Sequence, residues 1–177
     1  LGVCALQNYA VAKLGAIQYA STAVGSRYIF GGSTWDPKNR RYGGSDCAGL
    51  VLKAWKWPVA IGYRDQLRPS YVVRGKSVPG KLYTGTMLYP ERYKLPWSKT
   101  KDLSKSSVGD ALTYNSGGSG HTFLYVGKRN GMVRSLEARS RKHGIGYFER
   151  SLPSLKRTGY AVLKPKNFGG SSFQSRN

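Results

Sequence analysis

The pattern of the last third of the chain constrains the fold most. Ala111-Leu112-Thr113-Tyr114, His121 to Val126, Met132 to Ala138, Ile145 to Phe148 and Tyr160 to Leu163 are short segments rich in β-branched and aromatic residues. They are set off by Gly109-Asp110, Asn115-Ser116-Gly117-Gly118 and Asn130-Gly131. Runs of this length between turn residues are strand signals, and Asn-Gly between two of them is a hairpin signal. Helical spacing comes earlier. Leu6, Ala10, Leu14, Ile17 and Val24 recur as one apolar stripe with Gly25 at the stop position. A second helix is expected from Ser45-Asp46-Cys47, capped by Ser45 or Asp46, buried through Leu50, Val51, Ala54 and Trp55, and ended by Pro58. Helices first and adjacent strands afterwards predict an α+β fold, with N-terminal helices packed on a central antiparallel β-sheet.

The 177 residues suit one compact domain. We expect it to span 1–167, with an insertion around 58–107 where Pro, Gly, Tyr and Lys break the pattern, and a flexible tail over 168–177. No apolar run reaches the roughly 20 residues a membrane-spanning helix needs. The first residue is Leu1, as expected of a chain trimmed upstream, by removal of a signal peptide or otherwise. Two cysteines, Cys4 and Cys47, make no disulfide framework, and no clustered Cys and His ligands suit zinc. Cys4 is expected as a core thiol under the first helix. A bridge from it to Cys47 would block Cys47.

Cys47 carries the most chemistry. It opens a helix among small neighbours, Gly43, Gly44, Ala48 and Gly49, and helix N–H groups there are expected to lower a thiol pKa. A buried structural thiol is the alternative. A nucleophilic thiolate needs a base, and there are two histidines. His143 lies in a basic loop and reads as a solvated residue. His121 opens a strand after the glycine-rich Ser116–Gly120 run, where side chains of a site project.

Glu137, on the strand paired with that of His121, is the candidate for orienting the imidazole. Strand parity tests it. A two-residue Asn130-Gly131 loop would place 121 opposite 140 and turn Glu137 to the other face. A three-residue Arg129-Asn130-Gly131 loop would pair 123 with 137, making His121 and Glu137 diagonal neighbours roughly 7–8 Å apart at the backbone. A catalytic role for Glu137 therefore predicts the longer, bulged turn. A salt bridge to Arg134 or Arg139 is the alternative.

Five segments in order, Tyr28-Ile29-Phe30-Gly31-Gly32, Ser45-Asp46-Cys47-Ala48-Gly49-Leu50-Val51, Gly109-Asp110-Ala111-Leu112, His121-Thr122-Phe123-Leu124-Tyr125-Val126-Gly127 and Glu137-Ala138, resemble the motifs of NlpC-type cell-wall endopeptidases, cysteine peptidases with a papain-like core. The resemblance runs from about Leu6 to Lys164. It implies Cys47 as nucleophile, His121 as base and Glu137 as the third polar residue, with Tyr28 beside the thiol at the oxyanion and Asp46 meeting the free amino end of a stem peptide. It implies a peptidoglycan hydrolase that cuts between γ-linked D-glutamate and the following diamino acid. No metal or organic cofactor is implied. Ala48 stands where a serine usually follows the nucleophile, and insertions at 33–44 and 58–107 would reshape the cleft.

Charge fits such a target. Against 29 Lys and Arg stand 8 Asp and Glu, a formal net charge of +21. Such a surplus draws a protein to polyanions, here the carboxylates of peptidoglycan or muropeptides and the anionic polymers of a bacterial wall. A secreted, extracellular or periplasmic monomer is the corresponding expectation. Three other readings stand beside it, one of them a wall-binding protein without catalysis. An amidase or acyltransferase could use the same fold. A nucleic-acid-binding module could use Tyr63, Tyr71, Tyr83, Tyr89 and Tyr93 among the basic residues, although no specific nucleic-acid motif accompanies them.

Overall fold

A computed structural model describes residues 13–36, 38–39, 43–55, 70–73, 76–79, 83–116 and 119–166. Leu6, Ala10, Cys4, Pro58 and the 168–177 tail lie outside the described residues.

Helix α1 is described over 13–21 and turns off at Gly25, whose φ of 86° is left-handed. Its buried side is Lys13, Ala16 and Ala20, continued by Ala23 beyond the helix, while Leu14 is 53% exposed. The apolar stripe expected through Leu14 is therefore rotated, because small alanines let the helix sit close and a lysine is buried against a carboxylate.

Three short strands follow, β1 (Arg27–Tyr28), β2 (Ser33–Trp35) and β3 (Gly43–Ser45), in the order β1-β3-β2. Helix α2 (Cys47–Ala54) begins where expected. Its cap is Asp46, whose carboxylate accepts from the Gly49 N–H at 2.7 Å. Ser45 instead ends β3. Within α2 every residue except Lys53 is buried, so α2 is a core helix rather than an amphipathic one.

A hairpin joins β4 (Ser70–Val73) to β5 (Lys76–Pro79). The short helix α3 (Thr84–Met87) follows it. Then come β6 (Trp97–Thr100), β7 (Ala111–Ser116), β8 (Ser119–Arg129), β9 (Met132–Ser140), β10 (Gly144–Ser151), helix α4 (Leu152–Thr158) and β11 (Ala161–Pro165). Six of these strands form one sheet in the order β10-β9-β8-β7-β11-β6, with every neighbouring pair antiparallel. The fold is α+β, as expected.

Two cores cover the two faces of that sheet. Leu50, Val51 and Leu52 of α2 pack with Leu124, Leu136, Ala138 and Leu163 on one face. Leu155 of α4 packs with Leu112, Phe123, Val133 and Val162 on the other. All of these side chains are at most 1% exposed, and complete burial of such side chains stabilises by about 1.5–3 kcal/mol each.

The β8–β9 turn corrects one expectation. Arg129 pairs with Met132 across a two-residue Asn130-Gly131 loop, both residues at positive φ (51° and 73°), as a type I′ turn requires. The extra residue enters earlier. Register shifts between Tyr125 and Gly127, so that Leu124 faces Leu136, and one further step sets 123 opposite 137. A bulge at Val126 thus gives the parity expected from a longer loop, and Gly127 accommodates it with φ 143°.

Candidate active site

Residue 47 is the first residue of α2, so its sulfur lies among N–H groups left free by helix geometry. The backbone N–H groups of Thr122, Ala48 and Cys47 all face the sulfur and favour its thiolate. They do not prevail. Burial comes first and the Asp46 carboxylate second, and together they push the Cys47 thiol up to about 11. The lowered value expected from the helix terminus is not found: Cys47 is only 8% exposed and stands next to a buried negative charge. It is a free thiol.

Asp46 is itself 5% exposed. One carboxylate oxygen caps α2 through Gly49, and the other accepts from the Gly31 N–H at 2.7 Å. That second bond ties the Gly31-Gly32 segment to the start of α2. Gly49 is required by the same closeness, since a Cβ there would lie 2.2 Å from the Gly32 carbonyl oxygen. Tyr28, opposite Ser45 in the β1–β3 pair, is half-buried. Burial first, then the charges of Cys47 and Asp46, push its phenol up to about 12, against a smaller opposite pull from Arg141. Tyr28 is therefore a protonated donor within electrostatic reach of the thiol.

His121 and Glu137 meet on the sheet face that also carries Tyr114, Phe123 and Arg150. The Nε2 of His121 lies 2.6 Å from Oε2 of Glu137. Glu137 is fully buried. Ser135 Oγ donates to its Oε1 at 2.7 Å, Arg150 Nε donates to Oε1 at 3.1 Å, and Arg150 Nη2 donates to Oε2 at 2.6 Å. Burial would raise this carboxyl, but the hydrogen bonds and charges of His121 and Arg150 outweigh it and hold it at about 2. An ionised carboxylate accepts only. Nε2 of His121 is therefore the donor in this bond, and Nδ1 is the ring nitrogen turned away from Glu137. The ring packs against Tyr114 and Phe123, with centroids 6.0 and 5.9 Å away.

Consecutive residues of β8 point to opposite faces of the sheet, His121 to the α4 face with Phe123 and Thr122 to the α2 face with Leu124. His121 carries the imidazole, and the Thr122 N–H faces the sulfur. Among the described residues no hydrogen bond joins Cys47 to His121, and Nδ1 has no polar partner there.

Neither basic residue of the alternative reading pairs with Glu137. Arg134 lies 3.9 Å from Glu149, and Arg139 stacks over the Phe148 ring at 4.7 Å. Arg150 and Ser135 take those roles, and the sequence reading missed both. Ser135 was within reach, two residues from Glu137 and so on its face of the strand. Arg150 was not, because register also shifts between Gly144 and Ile145. His143 lies in the exposed 141–143 turn, its Nδ1 2.8 Å from Ser140 Oγ. Among the described residues no group of three His, Cys, Asp or Glu side chains could hold a metal.

No family model matches the chain. No curated protein matches it either. Solved structures do. Ly7917 is similar at 15% identity and a TM-score of 0.50, over 86% of this chain and 62% of that one. Ly7917 with the hydrolysing product of MDP is similar at 15% identity and 0.49, over 88% and 63%. The resuscitation promoting factor interacting protein RipA, in a mutated form, is similar at 20% identity and 0.49, over 88% and 61%. This chain thus spans about three-fifths of the length of each of those chains. What is shared with Ly7917 is the fold.

Proposed function

We propose that this protein is a peptidoglycan hydrolase, a cysteine endopeptidase with Cys47 as nucleophile, His121 as base and Glu137 orienting the imidazole. One observation carries the reading. A buried, ionised carboxylate fixes Nε2 of an imidazole whose Nδ1 is turned away from it, one residue along β8 from the N–H that faces a helix-start thiol. Such an imidazole can take a proton from sulfur and hand it to a leaving amine. The fold shared with Ly7917 and the ordered NlpC-type motifs around Tyr28, Cys47 and His121 support the same reading.

In the resting state Cys47 is a thiol, so activation belongs to the reaction itself. Substrate closes the gap between sulfur and Nδ1, as catalytic hydrogen bonds that are long in the free enzyme tighten in the complex. Nδ1 takes the S–H proton while sulfur adds to the scissile carbonyl carbon. The oxyanion so formed accepts from the Cys47 N–H and the Tyr28 hydroxyl, donors worth a few kcal/mol each. Collapse breaks the C–N bond, and the imidazolium gives its proton to the departing amine. Water then adds to the thioester with His121 as base, and the acid leaves with restoration of the thiol.

The substrate in this reading is a stem peptide in peptidoglycan or muropeptides. The bond cut is that between D-γ-glutamate and the diamino acid. A free α-ammonium near Asp46 would offset the second of the two causes that raise the Cys47 thiol, so binding of a trimmed stem peptide would also favour the thiolate. The +21 net charge adds attraction to anionic wall polymers, and the place of action is extracellular or periplasmic.

Mass analysis of products from defined muropeptides tests the bond. The expected products are a fragment ending in D-glutamate and a peptide with a new amino terminus on the diamino acid. Release of the whole stem peptide from the glycan would replace this reading by the amidase, and no product at all would reject the hydrolase.

A further inference from the structure

Glu137 is an unusual third residue in how it is held. A carboxylate has about four lone-pair positions, and four donors reach Glu137, two on each oxygen: Ser135 Oγ and Arg150 Nε on Oε1, His121 and Arg150 Nη2 on Oε2. Arg150 supplies half of them. Its own place is built, not incidental. The guanidinium lies over the Phe123 ring at 5.0 Å, Tyr114 bonds to it, and its side chain is 17% exposed.

We propose that Arg150 is a positioning residue of this site: its two-pronged ion pair fixes where the Glu137 carboxylate points and limits how strongly that carboxylate holds a proton on His121. The inference rests on the hydrolase reading and deepens it. An unshared carboxylate beside an imidazole favours imidazolium, which cannot accept a proton from sulfur. A guanidinium on the same carboxylate takes up part of its charge and repels imidazolium, so the base remains available as pH falls. Among the described residues, Tyr114 from β7 is the other titratable group that bears on this pair. Arg139 is occupied with Phe148. Arg150 is thus the one cation bonded to Glu137 among the described residues.

The alternative is that Arg150 only balances a buried charge. Loss of a merely structural partner would lower stability and scale activity alike at every pH. The proposed role shifts the pH profile.

The test is NMR titration of the imidazoles of the full chain, wild type beside Arg150→Met, with His143→Asn assigning the second histidine. The His121 midpoint is expected to move up in Arg150→Met. Its kcat/KM on a defined muropeptide is expected to fall several-fold more at pH 6 than at pH 8. Arg150→Lys keeps the charge without the fork and is expected to fall between; it serves as the test variant if the methionine variant does not fold. Because the titration needs no substrate, an unmoved midpoint overturns the role of Arg150 alone. A moved midpoint with no muropeptide turnover by the wild type overturns the hydrolase reading and leaves the coupling of Arg150 to His121 standing.

Discussion

Two carboxylates among the described residues are fully buried, and the partner that sets them apart is a histidine. Asp110, just before β7, is bonded by Lys13, by Lys164 at 2.5 Å, and by the Ser107 N–H and hydroxyl at 2.8 and 3.1 Å. Glu137, in β9, is bonded by an arginine, a serine and His121. Both are 0% exposed, and both are wrapped in donors as buried charge requires. Around Asp110 the donors are ammonium, amide and hydroxyl groups, and the cluster ties α1 and β11 to the turn before β7. Around Glu137 one donor is an imidazole with a second nitrogen still free. Burial and ion pairing therefore do not mark a site on their own. On the proposed reading, the mark is a partner that can change protonation and so serve Cys47.

The sharpest way to break this contrast is at the anchor. Asp110→Asn takes the counter-charge from Lys13 and Lys164, and breaking such buried pairs costs about 3–5 kcal/mol. Urea unfolding is expected to show that loss, while kcat per folded molecule stays near wild type. A large fall in kcat with stability intact would move Asp110 into the catalytic machinery.

Glu137→Gln is expected to cost stability as well, and activity with it. It keeps shape but loses the charge that stabilises the imidazolium, and kcat is expected to fall about 10²–10³-fold with KM little changed. The same variant reports on acid stability. The folded carboxyl, at about 2, lies below its ordinary 4.5, so its contribution is fully present above pH 4.5 and is lost as pH falls through 2. That is on the order of 3 kcal/mol between pH 6 and pH 2 in the wild type, and the glutamine variant should lack that component of the slope. Equal slopes in urea titrations of the two proteins would contradict the assignment.

The smallest effect concerns the thiol. Asp46→Asn keeps a capping oxygen for the Gly49 N–H and removes the second of the two causes that raise Cys47. Alkylation of Cys47 by iodoacetamide at pH 8 is expected to quicken several-fold, about half a pKa unit in thiolate fraction. An unchanged rate would leave burial as the whole cause.

The same contrast explains what the sequence could and could not convey. Strands β7 to β11 and the capped start of α2 were legible, because alternation and Asp46 report on local backbone. Strand β6 was not: Trp97-Ser98-Lys99-Thr100 lies at the sheet edge, where one flank needs no apolar residue. Helix α4 had its signals, Ser151 as cap, Pro153 in the first turn and Gly159 at the stop with φ 66°, but seven residues are too few for an apolar period to stand out. In the candidate site, Cys47, His121 and Glu137 stand out by residue type and position, and the structure joins His121 to Glu137. How Glu137 comes to His121 was not legible, because the bulge at Val126 leaves no compositional trace beyond Gly127. Leu14 and Lys13 exchanged the roles their hydropathy suggests, since Asp110 is nearly a hundred residues away in sequence and only the fold brings it to Lys13.

The central claim is that sulfur 47 is the attacking atom, and turnover of a defined muropeptide by Cys47→Ala tests it most directly. With folding verified by circular dichroism, the variant is expected to release no product over a time in which the wild type consumes the substrate. Product formation by the folded variant at a rate near wild type would contradict the account.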